Sequence, residues 1–269
     1  MSHQFDPGPV AEPYASLVRD YPGLDVYPTA SFRTEWGPIF HRGRLDGSAR
    51  VLVLGQDPAA SENITRRILV GEAGHRLQGL LAKLGIDRSY VMINTFLYSV
   101  YGQNAGEQHA DDPGIVAYRH RWLDAVIQHN QLEAVIALGH LADDAWNKWE
   151  QHSGLAGPPA YSHVTHPTQP ESSSHGDLNK LATATKALLA NWNQALQQLA
   201  PHIEHPDTPR PLALYGDDFG PTDKADIPEL DLPPGIPAWM RSPAAWASRT
   251  GSTTAEKRAT ITVAVPPSP

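Results

Sequence analysis

Four short apolar runs, each ending in glycine or polar residues, punctuate the first two thirds of the chain: VLVLG at 51–55, YVMIN at 90–94, AVIALG at 134–139 and YSHVTH at 161–166. Runs of this length between turn residues predict buried β-strands. The segments ITRRILVGEAGHRLQGLLAKLG (64–85), GIVAYRHRWLDAVIQHN (114–130) and HLADDAWNKWEQH (140–152) between them carry apolar residues at helical spacing. So does the segment after the last run, where Leu178, Leu181, Ala182, Thr185, Leu188, Leu189, Trp192, Leu196 and Leu199 recur at intervals of three and four. Strand–helix alternation predicts a three-layer α/β/α fold with a central, mostly parallel four-stranded sheet. Gly85 is expected to close a helix that begins near Ile64, and Asp177 to cap the last helix.

From about Pro201 the periodicity stops and the chain becomes rich in Pro and Asp. The expected organisation is a catalytic unit over residues 1–202 and a tail over 203–269. That tail is either disordered or docked on the body through Tyr215, Phe219, Trp239, Met240 and Trp246. No internal repeat is present. The start has no basic stretch followed by an apolar one, and no run has the length of a membrane span, so a soluble, cytoplasmic monomer is expected.

Composition narrows the chemistry. The chain has no cysteine, which removes disulfides, thiolate nucleophiles and cysteine-held zinc or iron–sulfur sites. Its thirteen histidines show no tight metal-ligand spacing, so no metal is expected. A formal charge of −8 argues against general affinity for nucleic acid, which needs clustered Lys and Arg. Local patches stay open, because Arg33, Arg42, Arg44 and Arg50 crowd one segment and Arg66, Arg67 and Arg76 another.

Ligands of an open parallel sheet bind beyond the carboxyl ends of its strands. The residues expected there are Gly55-Gln56-Asp57-Pro58, Asn94-Thr95, Gly139-His140 and Thr165-His166-Pro167. An acid, an amide and an imidazole thus meet on one rim from segments far apart in the chain.

On these residues the chain, over roughly 30–200, resembles the uracil-DNA glycosylase superfamily. GQDP at 55–58 is similar to the catalytic loop of the family-1 enzymes, and HPTQP at 166–170 to their His-Pro-Ser-Pro loop. LVGEAGHRLQGLL at 69–81 and VIALGHLADDAW at 135–146 look like the family-4 branch. The resemblance implies hydrolysis of the N-glycosidic bond of deoxyuridine in DNA, with no metal and no cofactor. Breaking that bond builds positive charge on the sugar and negative charge on the leaving base. By the same resemblance Asp57 stabilises the sugar cation and activates water, and His166 donates to the uracil O2. Asn94 pairs with the uracil edge and Gln56 shapes the pocket.

Several positions depart from the family pattern. Ala59 stands where family-1 enzymes have the Tyr that excludes thymine, and Leu69 where a Phe stacks on the flipped base. Phe96, Tyr98 or Tyr101 are candidates for a substitute platform. The loop after His166 has no Leu to wedge into a duplex and carries Glu171, which favours single strands. The four cluster-binding cysteines of family 4 are absent. Two further readings stay open: a glycosylase for deaminated purines such as hypoxanthine or xanthine, and a protein that captures uracil-DNA without turnover, for which His75, His109 and His163 are the nearby candidates.

Overall fold

A computed structural model describes residues 4–265. Among the described residues the strands β1 (His41–Gly43), β2 (Val51–Gly55), β3 (Tyr90–Asn94), β4 (Ala134–Leu138) and β5 (Ala160–Val164) form a five-stranded sheet in the order β1-β3-β2-β4-β5. The four expected runs are its parallel strands. The additional β1 pairs antiparallel with β3 at one edge. A pair of three-residue strands, β6 (Trp246–Ser248) and β7 (Thr262–Ala264), lies outside this sheet.

The helices are α1 (Tyr14–Arg19), α2 (Ala60–Thr65), α3 (Glu72–Lys83), α4 (Gln103–His109), α5 (Pro113–His129), α6 (His140–Ser153), α7 (Gln169–Ser174), α8 (Leu178–Leu199) and α9 (Thr254–Ala259). Successive side chains of a strand point to opposite faces, and the two cores follow from that alternation. Leu52, Leu54, Val91, Ile93, Val135 and Ala137 pack with Trp122 of α5 and Trp146 of α6. Val51, Val53, Met92, Ala134 and Ile136 pack on the other face with Leu77 and Leu80 of α3 and with Leu188 and Trp192 of α8. The central strands are apolar throughout because both faces are covered. The result is the expected α/β/α arrangement, widened by an edge strand.

Two local expectations are corrected. The helix expected from Ile64 to Gly85 is broken into α2 and α3 by residues 66–71, where Arg66 and Leu69 take positive φ values of 58° and 53°. Tertiary contacts hold the break: the Arg66 guanidinium donates to the carbonyls of Trp36 (2.7 Å) and Pro38 (2.8 Å). The Glu62 carboxylate accepts from the amides of Ala59 (3.0 Å), Val70 (2.9 Å) and Gly71 (3.4 Å). In α8, Asp177 caps the first turn by accepting from Asn179 (2.9 Å) and Lys180 (3.1 Å). Its buried stripe, however, starts only at Thr185, and Leu178 is 78 % exposed.

Residues beyond α8 run along the body. Tyr215 packs on Trp192 and Phe219, and Ile227 and Leu232 are buried with Val70. Asp231, wholly buried, receives Arg42 (3.4 Å), Arg44 (2.5 Å) and the Tyr90 hydroxyl (2.5 Å).

Candidate active site

The connection leaving β2 runs to α3 on one face of the sheet, whereas those leaving its neighbours β3 and β4 run to α5 and α6 on the other. Divergent connections open a crevice at the strand ends, here around Gly55.

The β2 and β3 ends are stitched together beyond the last strand pair. Thr95 donates to the Gly55 carbonyl through its amide (2.9 Å) and hydroxyl (3.0 Å), and the Phe96 amide donates to the Gln56 carbonyl (2.9 Å). This ladder fixes the loop that carries Asp57, which is half-buried. One of its carboxylate oxygens accepts from the Val100 amide (2.9 Å) and the other from Gln56 Nε2 (3.1 Å). Burial pushes the Asp57 pKa up to about 6, against the lowering effect of these two hydrogen bonds and of Arg249; Glu62 adds to the rise. The group is ionised at neutral pH and is held at the range where a carboxylate works as a general base.

Asn94 ends β3 directly beside Gly55. A Cβ at position 55 would stand 2.4 Å from Asn94 Oδ1 and 3.6 Å from Leu69 Cδ1, so the glycine makes room for the amide and the three residues meet at one point. Asn94 Oδ1 is buried and has no hydrogen-bond partner among the described residues. Buried acceptors are seldom left unpaired, which makes this atom the unsatisfied acceptor of the rim. Leu69 is held in its left-handed conformation from behind: a Cβ on Gly74 would lie 1.7 Å from the Leu69 carbonyl oxygen. That contact gives a physical reason for the second glycine of Val-Gly-Glu-Ala-Gly.

His166 follows β5. Its loop is fixed by the Asn191 side chain accepting from the Thr165 amide (2.7 Å) and by Trp192 Nε1 donating to the Thr165 carbonyl (3.0 Å). Arg76 donates to the Pro167 carbonyl (2.6 Å). Burial lowers the His166 pKa to about 4, which keeps the ring neutral. The Thr168 amide points its N–H at Nδ1 (3.4 Å), and the Thr168 hydroxyl lies 3.2 Å from the same nitrogen. The ring proton therefore belongs on Nε2, leaving that nitrogen as a donor.

Ala59 caps α2 and is exposed. Phe96 and Tyr98 are buried in the aromatic cluster around Phe32 and Tyr27, and the partly exposed Tyr101 directly follows Val100, whose amide holds Asp57. The charge of Glu171 is answered by Arg76 at 2.6 Å. His75 is bound to the Ala225 carbonyl (2.8 Å), His109 to Asp112 (2.6 Å) and Ser31 (2.9 Å), and His163 faces Asp143 (3.5 Å). Among the described residues no group of three or more His, Asp or Glu has the placement of a metal site, and no helix is long and apolar enough to cross a membrane. Glu62, Val100 and Thr168 escaped sequence reasoning, since each acts through a neighbour or a backbone amide. Only the Glu three residues into α2 carries a recognisable capping signal.

Fold and rim together define an α/β/α protein whose parallel sheet presents a carboxylate, an amide and an imidazole at its C-terminal edge. A family model of the uracil DNA glycosylase superfamily matches residues 42–206, and the chain belongs to that superfamily. Membership supports a DNA glycosylase-type function, a hydrolase activity of DNA repair. No curated protein matches the chain.

Proposed function

We propose that the protein is a monofunctional uracil-DNA glycosylase that hydrolyses the N-glycosidic bond of deoxyuridine and leaves an abasic site for base-excision repair. The unpartnered Asn94 Oδ1, beside Gly55 and Leu69 on the rim that also carries Asp57 and His166, is the observation that supports it most. Uracil offers an N3–H to that oxygen and an O4 acceptor to Asn94 Nδ2, whereas cytosine has no N3–H and an amino group at position 4. Leu69 and Gln56 wall the base, which is turned out of the strand to reach them.

As the bond between C1′ and N1 breaks, its electron pair moves onto the base and spreads over N1 and O2. The ionised Asp57 stabilises the sugar cation, orients a water toward C1′ and takes its proton. Neutral His166 donates from Nε2 to O2 and keeps its proton. Residues 1–202 are assigned the chemistry. With no wedge residue in the His166 loop, single strands are preferred over duplexes.

The test is uracil release from a labelled oligonucleotide, run single-stranded and as duplex opposite G and A. Release is expected to be fastest from the single strand and to fall by roughly 10²–10⁴-fold in Asp57→Asn. Undiminished release by that variant would overturn the assignment. The exposed Ala59 favours a second reading, a range extended to hypoxanthine or xanthine, because the position that excludes larger groups in family-1 enzymes holds only a methyl here. Excision from oligonucleotides bearing those bases decides it.

A further inference from the structure

Most of the arginines that crowd this sequence are consumed inside the fold. Arg42 and Arg44 serve Asp231, Arg67 serves Asp6, Arg66 binds carbonyls and Arg76 binds Glu72 and Glu171. Arg33 is different. Only 3 % exposed, it has Nε and Nη1 buried without a hydrogen-bond partner among the described residues. Its guanidinium lies over Trp36 (5.0 Å to the ring centre) and over Tyr101 (4.3 Å). A second guanidinium, that of Arg258 on α9, lies over the same Tyr101 ring at 4.0 Å.

Arg258 and Arg249 come from the C-terminal unit of β6, α9 and β7, beyond the 42–206 stretch that matches the superfamily. That unit is seated on α2, where the Ala247 amide donates to Ser61 Oγ (3.3 Å). Arg249 and Arg258 are both exposed and make no ion pair among the described residues. The mutual repulsion of Arg33, Arg249 and Arg258 contributes, after burial, to a lowered Arg33 pKa. Of the acids on these elements, Glu35 offsets part of the repulsion at Arg33, so two carboxylates stand against three guanidiniums. Glu35 accepts from the Tyr101 hydroxyl (3.0 Å), and Glu256 is engaged by Ser252 and Thr253. Arg33 and Arg258 thus share the Tyr101 ring, Arg249 follows β6 of the same C-terminal unit within electrostatic reach, and the buried donors of Arg33 are left without a partner among the described residues. The cluster adjoins the catalytic loop, since Tyr101 directly follows Val100, whose amide holds Asp57.

We propose that the C-terminal unit completes a phosphate clamp at the crevice mouth, in which Arg33, Arg249 and Arg258 grip the backbone of a single DNA strand beside the nucleotide that enters the site. The assignment of the phosphate to DNA rests on the glycosylase reading. The clamp supplies local affinity that a chain of formal charge −8 lacks overall, and it places that affinity on a segment separate from the sheet.

The experiment measures anisotropy of a labelled single strand of thymine and of the same strand with one uracil, titrated with the full-length chain between 50 and 200 mM KCl. Wild type is compared with Arg249→Gln/Arg258→Gln and with the charge-matched control Arg50→Gln/Arg88→Gln, whose residues precede β2 and β3 at the opposite ends of those strands. Loss of two phosphate contacts from a single strand is expected to flatten the slope of log K against log salt by about 1.4. Affinity at 100 mM is expected to fall about tenfold or more, with the urea midpoint unchanged and the control pair like wild type. An unchanged slope, an equal effect of the control pair, tighter binding by the clamp variant or no measurable binding by wild type would each overturn the clamp. If the slope flattens as expected but wild type releases no uracil, the clamp stands and the glycosylase reading falls. Uracil release with an unchanged slope has the reverse meaning.

Discussion

At the scale of single residues the site depends on two side chains displaced from their ordinary ionisation in opposite directions by burial. In the proposed mechanism Asp57, raised to about 6, acts without its proton, so the single-turnover rate of uracil release is expected to rise tenfold per unit below pH 6 and to level off above it. His166, lowered to about 4, is already neutral across that range and adds no second limb. A rate flat from pH 5 to 8 would dismiss Asp57 as the base. The same shift has a cost in stability. A carboxyl whose folded pKa lies above its unfolded value favours the fold fully only below the unfolded value, and the benefit is lost as pH rises through the folded one. Asp57→Asn is therefore expected to be more stable than wild type at pH 7.5, by an amount on the order of 1–3 kcal/mol. The advantage should shrink as pH falls from 6 toward 4, which urea unfolding at several pH values measures.

At the scale of elements the break between α2 and α3 shapes the pocket wall. A continuous helix would carry Leu69 on a helical backbone; the interruption turns it toward Gly55 and Asn94. Gly74 permits the break, because the Leu69 carbonyl occupies the space of its missing Cβ. Gly74→Ala is expected to cost at least the upper end of the roughly 1–3 kcal/mol of an overpacked site, and to lower uracil release by displacing Leu69. A urea midpoint and a turnover rate both equal to wild type would contradict this.

For the whole molecule, the segment after α8 is bound to the sheet by a buried charge. Arg42, itself fully buried, sits on the edge strand β1 and meets Asp231 there together with Arg44 and Tyr90. Removing one partner of such a pair leaves the other charged and unanswered. Asp231→Ala is expected to destabilise the protein by about 3–5 kcal/mol. A change in unfolding free energy below about 1 kcal/mol would show that the contact carries little. The same edge explains the polar composition of β1, whose His41 and Arg42 are buried against Asp6 and Asp231.

The sequence by itself determined the four parallel strands and the α/β/α class, because apolar runs and helical periodicity record burial along the chain. It also placed Asp57, Asn94 and His166 at strand ends, since the ends of runs are visible without knowing the fold. The edge strand β1, the interruption at residues 66–71 and the seat of the C-terminal unit on α2 were decided by tertiary structure alone. Each depends on a charged or polar group finding a partner far along the chain, as Arg42 finds Asp231 and Arg66 finds the carbonyls of Trp36 and Pro38. Periodicity has no term for such pairings. The burial that raises the Asp57 pKa and leaves Asn94 Oδ1 without a partner among the described residues likewise exists only once the strand ends and their loops have closed around them.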